Sequence, residues 1–211
     1  MFPTPVEVGV TVDRYAYRFD LATGAATSTL TLATTADGNC VTLPTTLAPT
    51  NVTLDAEPAV AVHDGTHLQA CAPGDLGATA LLDTSQVVPE QTALGLDVGL
   101  SRRNNGFGGT LTYLLSWVGG CDRFGPCDDD PSHLTTFSFE VTHPMGTTVL
   151  CPGALTPGAT TTTCLLEVPL APTYSAFAIV ADDTWVASPL TSAAGVDIVF
   201  YEAPGGGLMA A

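Results

Sequence analysis

The sequence predicts an all-β fold, a saddle-like or sandwich arrangement of curved, mostly antiparallel sheets stapled by disulfides. Three observations carry that reading. Threonine occurs 32 times among 211 residues, with 21 glycines and 16 prolines, and lysine is absent altogether. Threonine and valine fit a pleated, half-buried surface, whereas glycine and proline break helices and build turns. Short segments alternate apolar and polar residues with period two, the pattern of strands with one buried face. Finally, six cysteines fall into three pairs by position.

Tyr15, Tyr17, Phe19 and Leu21 alternate with Ala16, Arg18 and Asp20, and Thr23-Gly24 turns the chain into a partner strand at Thr29–Thr34. Val41–Leu43 and Val52–Leu54 are short strands. Ala59–Val62 and His67–Ala70 flank Asp64-Gly65, a tight-turn signal. Ala78–Asp83 is a further strand. Leu94–Leu100 and Leu111–Trp117 flank Asn104-Asn105-Gly106, the mark of another hairpin. In the second half, Phe137, Phe139 and Val141 alternate with polar neighbours. Thr147–Leu150, Thr161–Val168, Tyr174–Val180 and Val196–Tyr201 complete the set. No fixed repeat joins these strands, so a solenoid is not expected, and the even composition reads as one domain over residues 1–203. Pro204 to Gly207 reads as a Gly-rich joint. Leu208–Ala211 reads as the start of a following domain.

Position pairs Cys40 with Cys71, Cys121 with Cys127 and Cys151 with Cys164, although six cysteines allow many connectivities. Cys40 adjoins one short strand and Cys71 ends another. Cys151 and Cys164 bracket a hairpin-like stretch, and Cys121 and Cys127 close a small loop. Zinc would want C-x-x-C spacing with nearby histidines, which the chain lacks. Disulfides persist outside the cytosol, so an extracellular, periplasmic or cell-surface location is expected. The N-terminus, Met1-Phe2-Pro3-Thr4-Pro5, shows no export signal, and the expectation is a record that begins after the true start.

Five Lys plus Arg against 21 Asp plus Glu give a formal charge of −16. Such a surface cannot neutralise phosphates or release counterions, which excludes a nucleic-acid binder. No apolar run is long enough for a membrane-spanning helix. HExxH, GxSxG and the P-loop are all absent, so no zinc-protease, serine-hydrolase or nucleotide signature is present. His63 and His67 flank one turn without a third ligand, and His133 and His143 stand at opposite ends of one strand. Asp128-Asp129-Asp130 is the densest acidic cluster; it lacks EF-hand spacing and reads as a solvated turn before the next strand, with a calcium-dependent module as the competing reading. Asn51-Val52-Thr53 is an N-glycosylation sequon.

The segment Phe124–Ser132, running into Leu134–Leu150, resembles the N-terminal β-domain of the aminopeptidase N family of zinc metallopeptidases. Pro126-Cys127-Asp128-Asp129-Asp130-Pro131 stands where that family carries a "PCFDEP"-like stretch, and Pro144-Met145-Gly146 stands at its "P-x-G". Asp13–Leu21 is similar to the family's Tyr-rich opening strand. Pro126, Cys127, Asp129 and Pro131 are the motif-loop residues. The resemblance implies a saddle-shaped β-domain, non-catalytic by itself, that packs on a thermolysin-like catalytic domain and shapes the peptide-substrate cleft. Zinc would then sit in that missing domain, with no cofactor in this chain. The family position that lends a Gln or Glu to the substrate amine falls on Trp117, which has no carboxylate or carboxamide oxygen; it becomes a candidate apolar wall at the cleft edge. The alternative is a stand-alone secreted β-sandwich for binding or adhesion.

Overall fold

The computed structural model describes residues 4–91, 99–116, 120–172, 178–191 and 197–204. In chain order the strands of the first half are β1 (Val10–Asp20), β2 (Ala25–Thr34), β3 (Cys40–Pro44), β4 (Asn51–Leu54), β5 (Glu57–Pro58), β6 (Val60–His63), β7 (His67–Cys71) and β8 (Thr79–Val87). They continue with β9 (Gly99–Asn104), β10 (Thr110–Leu115), β11 (Leu134–Thr142), β12 (Thr148–Leu150) and β13 (Ala154–Thr156). The last four are β14 (Thr161–Pro172), β15 (Ala178–Asp182), β16 (Val186–Thr191) and β17 (Asp197–Glu202). A single 3₁₀ turn, Cys121–Arg123, interrupts the described strands.

Eight strands form the main sheet in the order β13-β14-β11-β1-β2-β8-β4-β5. All neighbours in it are antiparallel except β1 and β11, which run parallel. Smaller sheets follow the orders β12-β15-β10-β9, β3-β7-β6 and β16-β17. The fold is therefore all-β and mostly antiparallel, as the sequence indicates.

The main sheet has one apolar face and one polar face, as period-two alternation requires. Tyr15, Tyr17 and Phe19 of β1 point inward, as do Phe137, Phe139 and Val141 of β11. Parallel pairing sets Tyr15 opposite Phe137 and Tyr17 opposite Phe139. Their rings stack with centroids 5.2 Å and 6.0 Å apart, within the range of favourable aromatic pairs. Ala26, Leu30, Leu32, Ala80 and Leu82 extend this apolar face across β2 and β8. Outward positions on the same strands carry Arg14, Arg18, Thr27, Thr29 and Asp83.

Three disulfides are formed: Cys40–Cys71, Cys121–Cys127 and Cys151–Cys164. The first joins directly opposed residues of β3 and β7, and the third ties the segment after β12 to β14. On the chain-entropy account, the first of these restricts the unfolded chain by about 3–4 kcal/mol.

Several elements differ from the sequence reading. β1 starts at Val10, ahead of Tyr15, because a bulge between Val12 and Arg14 shifts the alternation by one residue. Val10 and Val12 thus belong to the same strand as Tyr15, although they are out of phase with it. β16 escaped notice because Pro189 sits inside it; in this two-stranded ribbon a proline is tolerated. The strand expected from Leu94 begins, within the described residues, at Gly99, and the one expected from Tyr174 begins at Ala178; positions 92–98 and 173–177 lie outside the described residues. So do Trp117 and the Gly-rich segment from Gly205 onward.

Candidate functional site

The loop from Cys121 to His133 links β10 to β11 and carries the four motif residues. Its sequence gives it little regular structure: Gly125 has a φ of 159°, and Pro126 and Pro131 remove two backbone donors. Its order comes from being tied at both ends and in the middle. The Cys121–Cys127 disulfide closes its first part. The Cys127 N–H donates to the Pro44 carbonyl at 3.0 Å, fixing it to the end of β3. The Asp122 carbonyl accepts the Thr46 N–H at 2.9 Å and the Thr45 hydroxyl at 3.2 Å.

Under this loop lies the apolar face of the main sheet. Phe124 is fully buried and meets Phe19 edge-on, with centroids 6.1 Å apart. The Gln86 carboxamide on β8 donates to the Phe124 carbonyl at 2.6 Å and to Ser28 Oγ at 3.1 Å. Gly125 sits directly over these two side chains, where a Cβ would approach Ser28 Oγ to 2.7 Å. Only glycine lets the backbone come this close.

Pro126 and Cys127 are buried, whereas Asp129 and Pro131 are exposed. Asp128, expected with its neighbours to be a solvated turn, is instead buried; the reason is a set of hydrogen bonds that replaces water. Its N–H donates to the Tyr15 hydroxyl at 2.8 Å. Its carboxylate accepts the Asp130 N–H at 3.0 Å and His133 Nδ1–H at 2.6 Å. The hydrogen bond to Asp128 holds the His133 imidazole above its usual pKa, with the Asp128 and Asp130 charges adding to the effect. Ser132 donates its hydroxyl and its N–H to Asp130 Oδ1, at 2.7 and 2.8 Å, which keeps the Asp130 carboxyl below its usual range. Burial pushes the Asp122 carboxyl up, against the pull of the neighbouring Arg123.

This arrangement is a clamp rather than a catalytic set. Ser132 Oγ bonds Asp130, not His133, so no nucleophile and base are paired. All six cysteines are in disulfides, and among the described residues no group of three or more His, Cys, Asp or Glu converges on one point. His63 Nε2 bonds the Thr45 carbonyl at 3.0 Å and His67 Nδ1 bonds Thr66 Oγ1 at 2.9 Å, so the two histidines do not share a ligand. These residues do not fit a zinc ion. Beside the loop an open cleft of about 290 Å³ is lined by Thr46, Leu47, Pro89, Gln91, Gly99 and Arg123.

Trp117, the candidate cleft-edge residue, lies outside the described residues. Tyr15, Gln86 and His133 were missed as loop partners. For His133 a signal existed: an Asp five positions ahead of a His, bridged by a proline turn. For Tyr15 and Gln86 none did, because they come from distant strands.

No protein-family model matches the chain, and no curated protein matches it. Solved structures do. An M1 zinc metallopeptidase of Deinococcus radiodurans, bound to a Tyr-Ser-Ala substrate, is similar with a TM-score of 0.71 at 21% identity, over 93% of this chain and 48% of that one. A two-domain M1 zinc metallopeptidase bound to L-arginine gives 0.71 at 23%, over 93% and 48%. Leukotriene A4 hydrolase of Saccharomyces cerevisiae gives 0.69 at 17%, over 85% and 30%. This chain spans about half the length of the first of these or less, and it has the all-β fold of one part of an M1 zinc metallopeptidase.

Proposed function

We propose that residues 1–203 are the non-catalytic β-domain of a secreted, aminopeptidase-N-like zinc metallopeptidase, joined through residues 204–211 to a catalytic domain. In this reading the domain packs on its catalytic partner and shapes the cleft that receives the peptide. The observation that carries it is the match of 93% of this chain to about half of a two-domain zinc metallopeptidase. The pinned Pro126–Pro131 loop supports it, since a cleft wall must hold its shape without help from the substrate. Three disulfides support the extracellular setting.

The zinc and the residues that activate water belong to the partner domain, and this chain contributes shape alone. Trp117 is the proposed apolar wall at the cleft edge. In the whole enzyme, Trp117→Ala is expected to raise KM for peptides with bulky side chains while leaving kcat within about twofold, because uniform binding is lost without touching the reacting atoms.

Reading the gene beyond codon 211 and assaying the chain tests the proposal. An open frame encoding HExxH downstream supports it, together with an isolated chain that neither binds zinc nor hydrolyses alanyl chromogenic substrates. Hydrolysis by this chain alone would overturn it, and a stop codon directly after Ala211 would favour a stand-alone binding module.

A further inference from the structure

Asn105 is the one asparagine of four that precedes glycine. Asparagine before glycine is the chemically weakest dipeptide of a chain, because the unhindered glycine nitrogen can attack the side-chain carboxamide. Here that residue opens the loop of the β9–β10 hairpin, and every polar atom of its side chain is engaged. Its Nδ2 donates to Asp182 Oδ2 at 2.9 Å and to Thr184 Oγ1 at 2.8 Å. Its Oδ1 accepts the Phe107 N–H at 2.9 Å and the Gly109 N–H at 3.0 Å. The would-be nucleophile is occupied as well: the Gly106 N–H donates to Asn104 Oδ1 at 2.7 Å.

The partner is unusual too. Asp182, at the end of β15, is 0% exposed, and its carboxylate accepts from neutral donors: the Asn105 carboxamide, and the Thr184 N–H and hydroxyl, both at 2.7 Å. A buried carboxylate of this kind depends on each donor. The packing is tight: a Cβ on Gly109 would collide with Asp183 Oδ1 and Thr184 Cγ2.

We propose that Asn105 is a latent deamidation site that the fold conceals, and that its conversion permanently unlatches the β9–β10 hairpin from the Asp182–Thr184 turn. In the reaction the Gly106 nitrogen forms a bond to Asn105 Cγ, the Cγ–NH₂ bond breaks, and ammonia leaves with the Gly106 proton. Water then opens the cyclic imide at either carbonyl, giving aspartate or isoaspartate. The folded chain suppresses the first step, because the carboxamide cannot rotate toward Gly106 without losing four hydrogen bonds. Conversion therefore runs through local opening. Once it has happened, a donor has become an anion facing the buried Asp182 carboxylate, and like charges in a buried site oppose reclosure. The hairpin thus carries a one-way record of having opened.

The test is peptide mapping of the whole chain after incubation at pH 8, folded and in denaturant. An Arg-specific protease releases the segment from Asn104 to Arg123 for mass analysis. Conversion at Asn105 is expected to be at least about tenfold slower in the folded chain, and Thr184→Val, which removes one acceptor, should speed it in the folded chain. Equal rates in the two states would overturn the concealment. For the second half, Asn105→Asp should lower Tm by about 5 °C or more, and Asn105→Asp with Asp182→Asn should recover most of the loss by reversing donor and acceptor. A single variant as stable as the parent, or a double variant worse than the single, would overturn the unlatching.

Discussion

Tyr15 serves two ends of the molecule through one side chain. Its ring stacks between Tyr17 and Phe137, and its hydroxyl accepts the Asp128 N–H of the loop above. Tyr15→Phe keeps the stack and strands that N–H in a buried place. The expected cost is about 1–2 kcal/mol by urea denaturation, with no change in secondary structure. Phe124→Ala removes a fully buried ring from the same place and should cost about 3–5 kcal/mol. His133 adds a dependence on pH. Its pKa is raised in the folded state by Asp128, so the stabilisation it brings is complete below its unfolded value of 6.5 and fades as pH rises through the higher folded value. Tm measured from pH 6 to pH 9 should therefore fall, and His133→Gln should flatten that part of the curve. A profile unchanged by the substitution would remove His133 as its cause. Of these residues, the sequence displays the inward phase of Tyr15 and the cluster around Asp128. It cannot display their meeting, because burial of Asp128 depends on a hydroxyl brought from β1.

At the scale of elements, the parallel pairing of β1 with β11 does the most to build the site. It aligns two aromatic runs, Tyr15 to Phe19 and Phe137 to Val141, that the sequence marks as strands but does not mark as neighbours. Strand existence was legible wherever alternation ran for four residues or more. The first residues of β1 were lost because a bulge resets the phase at Asp13, and β16 was lost where Pro189 interrupts it. The small Cys121–Cys127 ring was visible as spacing, and its role as an anchor needed the Pro44 contact from β3. Replacing Cys40 and Cys71 together by alanine should cost about 2–4 kcal/mol, read from denaturation midpoints, because that bridge closes the longest of the three loops. Indifference to the substitution would mean that β3 and β7 are held by pairing alone.

For the whole molecule, a formal charge of −16 with no lysine gives a surface that repels itself. Moderate salt should raise Tm by screening that repulsion, and a salt-insensitive Tm would contradict it. The clefts of the outward sheet face are lined by Arg14, Arg18, Ser138 and Thr163, among others, so two of the five arginines are placed where the main sheet is polar. What the sequence makes plain at this scale is the fold class and the three disulfides. The arrangement of sheets about one aromatic seam was hidden, since each sheet is assembled from strands far apart along the chain.

That seam has a consequence for how the chain is made. One of the two flanking neighbours of β1 in the sheet is β11, which emerges only after β2 to β10 have been translated. Until then the β1–β2 hairpin shows a bare hydrogen-bonding edge beside Tyr15, Tyr17 and Phe19, the kind of surface that recruits other chains. A nascent polypeptide of this kind is expected to need shielding by a holding chaperone until β11 has been made, with release timed to the arrival of Phe137 and Phe139.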